Sequence, residues 1–401
     1  MKRRLRGYGL RALALMVVVA AAGGCATSPS FAHAEMSRQQ TLAMLRAGQF
    51  AALNRHYAVV QAAYDKGSIS DEKLRSAFRR FYDTSPDLDA RYDSWVKEMP
   101  GSYVAHLARA IYYVRVGEAS RGNLIIADTS AARLRGMEAA FASASRELET
   151  SRSLESKPLM SVFYQLDIGK FEGDAAGNRQ LLQDSLAMDR RNFVVREMYV
   201  LTLMTAWGGS TEQLKAFVTS CRAAGLSATQ MNDLESYVFS DEAWIDDRDG
   251  GNYRRAATEY LEAAKLSGDD SCLLCASNDL QKAGDFPDAA QVLTQYLGRH
   301  PDSPTVLPVR AYVYFKLGRV ADSVNDCKRA AALGNAYCEY EIGMAYTFAG
   351  LGLPKDPDKG VELLRRAAAQ GNKDAQKLLP IARAEQLTRP QPAGATRSPT
   401  S

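Results

Sequence analysis

The residues best suited to chemistry in this 401-residue chain are its six cysteines and four histidines. Five of the cysteines lie in the second half, at Cys221, Cys272, Cys275, Cys327 and Cys338. Cys272-Leu273-Leu274-Cys275 has the C-x-x-C spacing, which does redox work where it sits in a βαβ setting. No strand-like segment lies near it, so it reads as the opening of a helix. Cys272 with Cys275, and Cys327 with Cys338, are candidate disulfides if the compartment is oxidising. A plain buried thiol fits Cys327 equally well, because it occupies a packing position. Zinc would require another close pair, and the spacing of Cys327 and Cys338 is too wide for that. His33, His56, His106 and His300 stand singly, without a second metal-ligating residue at helical spacing. Solvated or core imidazoles account for them. The chain has no Gly-x-Ser-x-Gly elbow, no phosphate loop and no His-Glu-x-x-His. Gly169-Lys170 lacks the glycine a phosphate loop needs five residues upstream. Asp246-Asp247-Arg248-Asp249-Gly250 opens like a calcium loop, but no carboxylate closes it at the twelfth position. It reads as a solvated turn between helices. No catalytic residue, metal or cofactor is expected.

The sixth cysteine sits in a different context. Lys2, Arg3, Arg4, Arg6 and Arg11 make a basic start, and Ala12–Ala22 is an unbroken apolar stretch. That stretch is too short for a spanning helix, which needs roughly 20 apolar residues, but it suits a secretory leader. Ala22-Gly23-Gly24-Cys25 follows directly, then the soft spacer Ala26-Thr27-Ser28-Pro29-Ser30. The arrangement resembles a bacterial lipobox, with Ala22 where that motif usually has Leu. The resemblance implies a leader over residues 1–24, a lipidated Cys25, and a tether over 25–36. Several acyl chains on one cysteine would anchor the protein stably, where one alone is marginal. Ala26 in place of an aspartate implies the outer membrane, facing the periplasm. The competing reading is plain secretion with cleavage at Ala32-His33-Ala34. The leader also explains the net charge of +4, since removing its five cations leaves 4 − 5 = −1. A nearly neutral remainder gives no reason to expect nucleic acid as a partner.

Beyond the tether the pattern is helical. Ser70 is a natural N-cap for a segment whose Leu74, Ala77, Phe78 and Phe81 share one face. Leu88, Tyr92, Trp95 and Val96 share the next, which stops at Met99-Pro100-Gly101. Tyr103, Leu107, Ala110, Ile111 and Val114 form a third, with Gly117 as the expected end. Nothing alternates with period two, so strands have no support.

In the C-terminal half a repeat emerges. Gly284 and Gly318 are 34 residues apart, as are Leu280 and Tyr314, Leu293 and Cys327, and Tyr296 and Ala330. This resembles the tetratricopeptide pattern, with Ser323 where Ala289 stands one repeat earlier. The last unit runs from Gly334-Asn335-Ala336 through Gly350-Leu351-Gly352-Leu353 to Ala369-Gln370-Gly371-Asn372. It resembles a Sel-one-like repeat, with Gly360 where alanine is usual and looser helix packing expected there. Residues 37–245 carry Pro100-Gly101-Ser102-Tyr103, Arg121-Gly122 and Trp207-Gly208-Gly209-Ser210, which resemble a bacterial domain family of unknown function. The expected organisation is an all-α solenoid: an N-terminal helical domain over 37–245, repeats over 246–380, and a disordered tail over 381–401.

Such arrays leave a concave face lined by the first helix of each pair. Phasing puts Tyr312, Phe315 and Lys316 of one unit, and Tyr337, Tyr340 and Met344 of the next, on that face. They are the candidate contacts for a protein or peptide partner. The function expected is a membrane-anchored interaction scaffold. The alternatives are an envelope chaperone, or an enzyme in residues 37–245, for which a deep pocket holding carboxylates with raised pKa values would speak.

Overall fold

The computed structural model describes residues 35–122 and 128–388. All regular structure among them is helical, and the chain divides into two compact units between Asp241 and Glu242.

The first unit contains α1 (Arg38–Arg46), α2 (Phe50–Asp65), α3 (Asp71–Phe78), α4 (Asp89–Glu98), α5 (Tyr103–Arg121), α6 (Ala131–Leu154), α7 (Leu159–Glu172), α8 (Ala175–Met188), α9 (Val194–Leu203), α10 (Thr211–Cys221) and most of α11 (Ala228–Ile245). Ser70 caps α3 by accepting from the amide of Lys73, and Leu74, Phe78 and Phe81 are fully buried. They meet Tyr57, Tyr92 and Trp95 in an aromatic core, where Phe50 stacks on Trp95 at 6.0 Å between centroids. α5 and α7 are buried along most of their surface, so other helices cover them on several sides.

α5 does not stop at Gly117. It continues to Arg121 and is capped by Gly122 at φ 67°. Gly117 serves packing instead, since a Cβ there would lie 2.5 Å from the Phe141 ring of α6. The missing side chain lets α5 and α6 approach closely, so this glycine marks a helix crossing rather than a helix end.

The second unit comprises α12 (Tyr253–Ser267), α13 (Asp270–Lys282), α14 (Phe286–Arg299), α15 (Leu307–Lys316), α16 (Val320–Ala332), α17 (Ala336–Phe348), α18 (Pro357–Ala369) and α19 (Lys373–Leu387). Each helix packs on the next in sequence. The 34-residue correspondence holds in burial, because Leu280 and Tyr314 are both buried, as are Leu293 and Cys327. Gly284 and Gly318 follow α13 and α15 with φ near +75° and +72°, a conformation that ends a helix cheaply only without a Cβ. α19 runs six residues past Ile381, where a structureless tail was expected to begin. Its Ala382 is fully buried against the preceding helices, and that contact extends the helix into a weakly apolar sequence.

The crossing of α17 and α18 also differs from expectation. Gly343 and Gly360 face each other, and a Cβ on Gly360 would lie 2.9 Å from the Gly343 carbonyl oxygen. Replacing the usual alanine with glycine therefore brings the two backbones closer and does not loosen them.

Candidate functional site

Exposed large apolar side chains concentrate in the second unit. Val309, Tyr312, Phe315, Val320, Leu333, Tyr337, Phe348, Ile381 and Leu387 lie there, against Val59 and Leu154 in the first. Two helices make the aromatic part of this surface.

α15 buries Leu307, Ala311, Val313 and Tyr314 and turns Tyr312, Phe315 and Lys316 outward. Arg310 fixes the helix by a two-pronged bond to the buried Asp326 of α16, at 2.7 and 2.9 Å. α17 starts at Asn335, whose side chain accepts from the Cys338 amide at 3.0 Å. The same side chain donates to the Pro304 carbonyl at 2.9 Å, which ties the start of α17 to the approach of α15. Cys338, Glu339, Ile342 and Gly343 then point inward, with Glu339 paired to Arg366 of α18.

Of the six expected contact residues, Tyr312, Phe315, Lys316 and Tyr337 are exposed, with Phe315 and Tyr337 about half open to solvent at 54% and 51%. Tyr340 and Met344 are half-buried, and the Tyr340 hydroxyl points at the Met344 sulfur at 3.8 Å. Tyr340 packs partly on the small cluster of α18 and α19, so it belongs to the edge of the face. The Lys316 ammonium lies 5.4 Å from the centre of the Tyr312 ring. Tyr312 in turn sits within electrostatic reach of Tyr337 of α17.

Glu341 was not singled out from the sequence. It lies one turn beyond Tyr337 on α17, half-buried and close to the Tyr337 hydroxyl. Burial raises its pKa, and the nearby hydroxyl only partly opposes this. Tyr337 is raised too, by burial first and the nearby carboxylate second. The signal available in the sequence was the i, i+4 spacing of a tyrosine and a glutamate on a face already rich in aromatics.

The cysteines divide. Cys327 of α16 and Cys338 of α17 form a disulfide, with Cα atoms 5.1 Å apart. Cys221, Cys272 and Cys275 remain thiols. Cys275 is pushed up to about 12, by burial first and Cys272 second, which leaves it without the thiolate character that redox chemistry needs. The acidic run at 246–250 is not a freely solvated turn: it forms one π-helical turn continuing from α11, and Asp246 is buried in it. Arg255 reaches Asp246 at 3.0 Å, and Lys282 of α13 pairs with Asp247. No group of metal-ligating side chains occurs among the described residues. Cys25 and residues 1–34 lie outside those residues, as do 389–401. No described helix is long and apolar enough to cross a membrane.

The first unit holds a buried ionic network between α5 and α7. Asp167 pairs with Arg115 and, at 2.8 Å, with Lys170; Arg115 also pairs with Glu118 at 2.6 Å. The Arg115 guanidinium lies 4.5 Å from the centre of the Tyr82 ring, and the Tyr164 hydroxyl donates to that of Tyr82 at 2.9 Å. Burial, then the charge of Asp167, pushes Glu118 up to about 7. Asp233 also reaches about 7, through burial and then Glu197 and Glu72. His106, at 2.6 Å from Glu147, is raised chiefly by that hydrogen bond.

All three groups hold protons more tightly in the folded state than in the unfolded chain. Their contribution is therefore complete at low pH and is lost as pH rises through the folded values. Asp167 is lowered, because its cations outweigh burial, and its contribution disappears only when pH falls below the ordinary carboxylate range. The first unit should thus lose stability steadily from pH 5 to pH 8. Urea midpoints at constant ionic strength check this, and the E118Q/D233N variant should flatten the slope. A midpoint that climbs across that window would contradict the assignment.

An all-helical chain with a 34-residue repeat in its second unit is the class these observations define. No protein-family model matches the chain, and no curated protein does. Among solved structures, the P58(IPK) TPR domain aligns over 87% of this chain and 97% of its own, at 12% identity and a TM-score of 0.24. A superposition that loose carries no weight beside the chain's own repeat and burial pattern.

Proposed function

We propose that this chain is a lipoprotein of the cell envelope that holds a protein or peptide partner on the helical repeats of its second unit. One observation carries the reading: successive repeat helices turn Tyr312, Phe315 and Tyr337 outward together. Isolated apolar side chains on a surface need no explanation, but a joined set of aromatics marks an interaction face. The anchor rests on the basic leader and Ala22-Gly23-Gly24-Cys25. The Cys327–Cys338 disulfide suits the oxidising periplasm that this leader implies.

Crosslinking in the native envelope, followed by affinity capture, tests the binding reading. Wild type should yield one stoichiometric partner, and Y312A/F315A should lose it. Because both side chains are exposed, the melting temperature should change little, with each substitution worth within about 0.5 kcal/mol. Lost stability with unchanged capture would instead place them in the core. A broad smear of captured species would point to a chaperone. For the anchor, Cys25→Ser should abolish labelling with radioactive palmitate and release the protein from the membrane fraction.

A further inference from the structure

We infer that the face of α17 receives an arginine side chain from an extended, basic segment of the partner, with Glu341 as its counter-charge and the Tyr337 ring beside it. This deepens the binding reading above and rests on it.

Glu341 is half-buried, and no ion pair involving it occurs among the described residues; the Tyr337 hydroxyl is its polar neighbour. The other half-buried or buried carboxylates of this region are matched by cations, as Asp326 is by Arg310 and Glu339 by Arg366. A carboxylate drawn out of water without a cation is unfavourable, and an incoming positive charge removes that penalty.

Tyrosine faces attract cations, and this same surface already shows one such contact where Lys316 stands over Tyr312. Tyr337 lies one turn before Glu341 on the same face of the helix, so a cation meeting the carboxylate also meets an aromatic ring. A planar guanidinium suits this setting better than an ammonium, since it can bond a carboxylate with two N–H groups while stacking on a ring. The line from Phe315 and Tyr312 to Tyr337 runs across two repeats, which favours an extended segment over a compact one.

The test uses full-length protein and a fluorescent ten-residue peptide of alternating arginine, proline and alanine, titrated by anisotropy. A matched peptide carries citrulline for arginine, which keeps the shape but removes the charge and exchanges one NH2 donor group for a carbonyl. Wild type should prefer the arginine peptide by about tenfold, the order expected for a partly desolvated ion pair with a cation–π contact. Glu341→Gln should erase that preference with no loss of melting temperature, while Glu362→Gln, at an exposed carboxylate of α18, should keep it. Equal binding of the two peptides by wild type overturns the inference, as does an unchanged preference in E341Q. If the preference is absent while Y312A/F315A still abolishes capture of the envelope partner, the binding face stands and only its arginine pocket falls. If the preference holds but Y312A/F315A captures normally, the arginine pocket stands and the wider aromatic face falls.

Discussion

Asp167→Ala should lower the stability of the first unit by about 3–5 kcal/mol, the usual consequence of stranding buried charge. Asp167 is almost wholly enclosed and serves two cations, Arg115 and Lys170, from the centre of the bundle. Lys170 can fall back on Glu118, 4.0 Å away. Arg115 would keep Glu118 as well, but one carboxylate would then answer two cations in a poorly hydrated place. The melting temperature of the unit should drop by roughly 10 °C or more. Replacing both members by apolar residues, as R115M/D167L, should recover most of the loss, because a buried ion pair is often no more stable than a packed hydrophobic pair. A single variant that melts like wild type would show that water reaches the network. A double variant no better than the single one would show that Arg115 is needed for its stacking on Tyr82.

Reduction of Cys327–Cys338 should be the largest change available in the second unit. The bridge closes a short loop, with 11 residues of sequence separation. Chain-entropy arguments give about 2–3 kcal/mol for a loop of that size. The melting transition of the second unit should therefore move down by about 5–10 °C in dithiothreitol, while the first unit stays where it was. C327A/C338A should reproduce the reduced transition and be indifferent to reductant. A transition insensitive to dithiothreitol in wild type would mean that the two cysteines are not bridged in solution. Since Cys338 adjoins Tyr337 in sequence, the reduced protein should also bind the proposed partner less tightly.

The helical character of the chain was legible because its determinants are local. Ser70 with Leu74 and Phe78, and the glycines at 284 and 318, announce themselves by type and spacing. What escaped was tertiary. Gly117 looks like a stop signal in one dimension, and only the position of Phe141 shows why a side chain is missing there. Gly360 looks like a packing defect until Gly343 is placed opposite it. Residues 381–387 carry too little apolar character to predict their helix, which depends on Ala382 finding a neighbour. At the candidate site the aromatics were readable from repeat phase alone. Glu341 was not, since charge on a helix is ordinarily solvated, and only its burial without a cation gives it meaning.

The two junctions beside α17 leave it little freedom. A covalent bridge holds it to α16 on one side, and on the other the bare backbones of Gly343 and Gly360 meet with no side chain to slide past. Bending of the repeats is easier upstream, where α14 meets α15 without a covalent bridge. The downstream half of the proposed surface would then be ordered before a partner arrives, so association there would forfeit little conformational entropy. Selectivity would follow from that stiffness: a segment either matches the spacing of the rings or is refused.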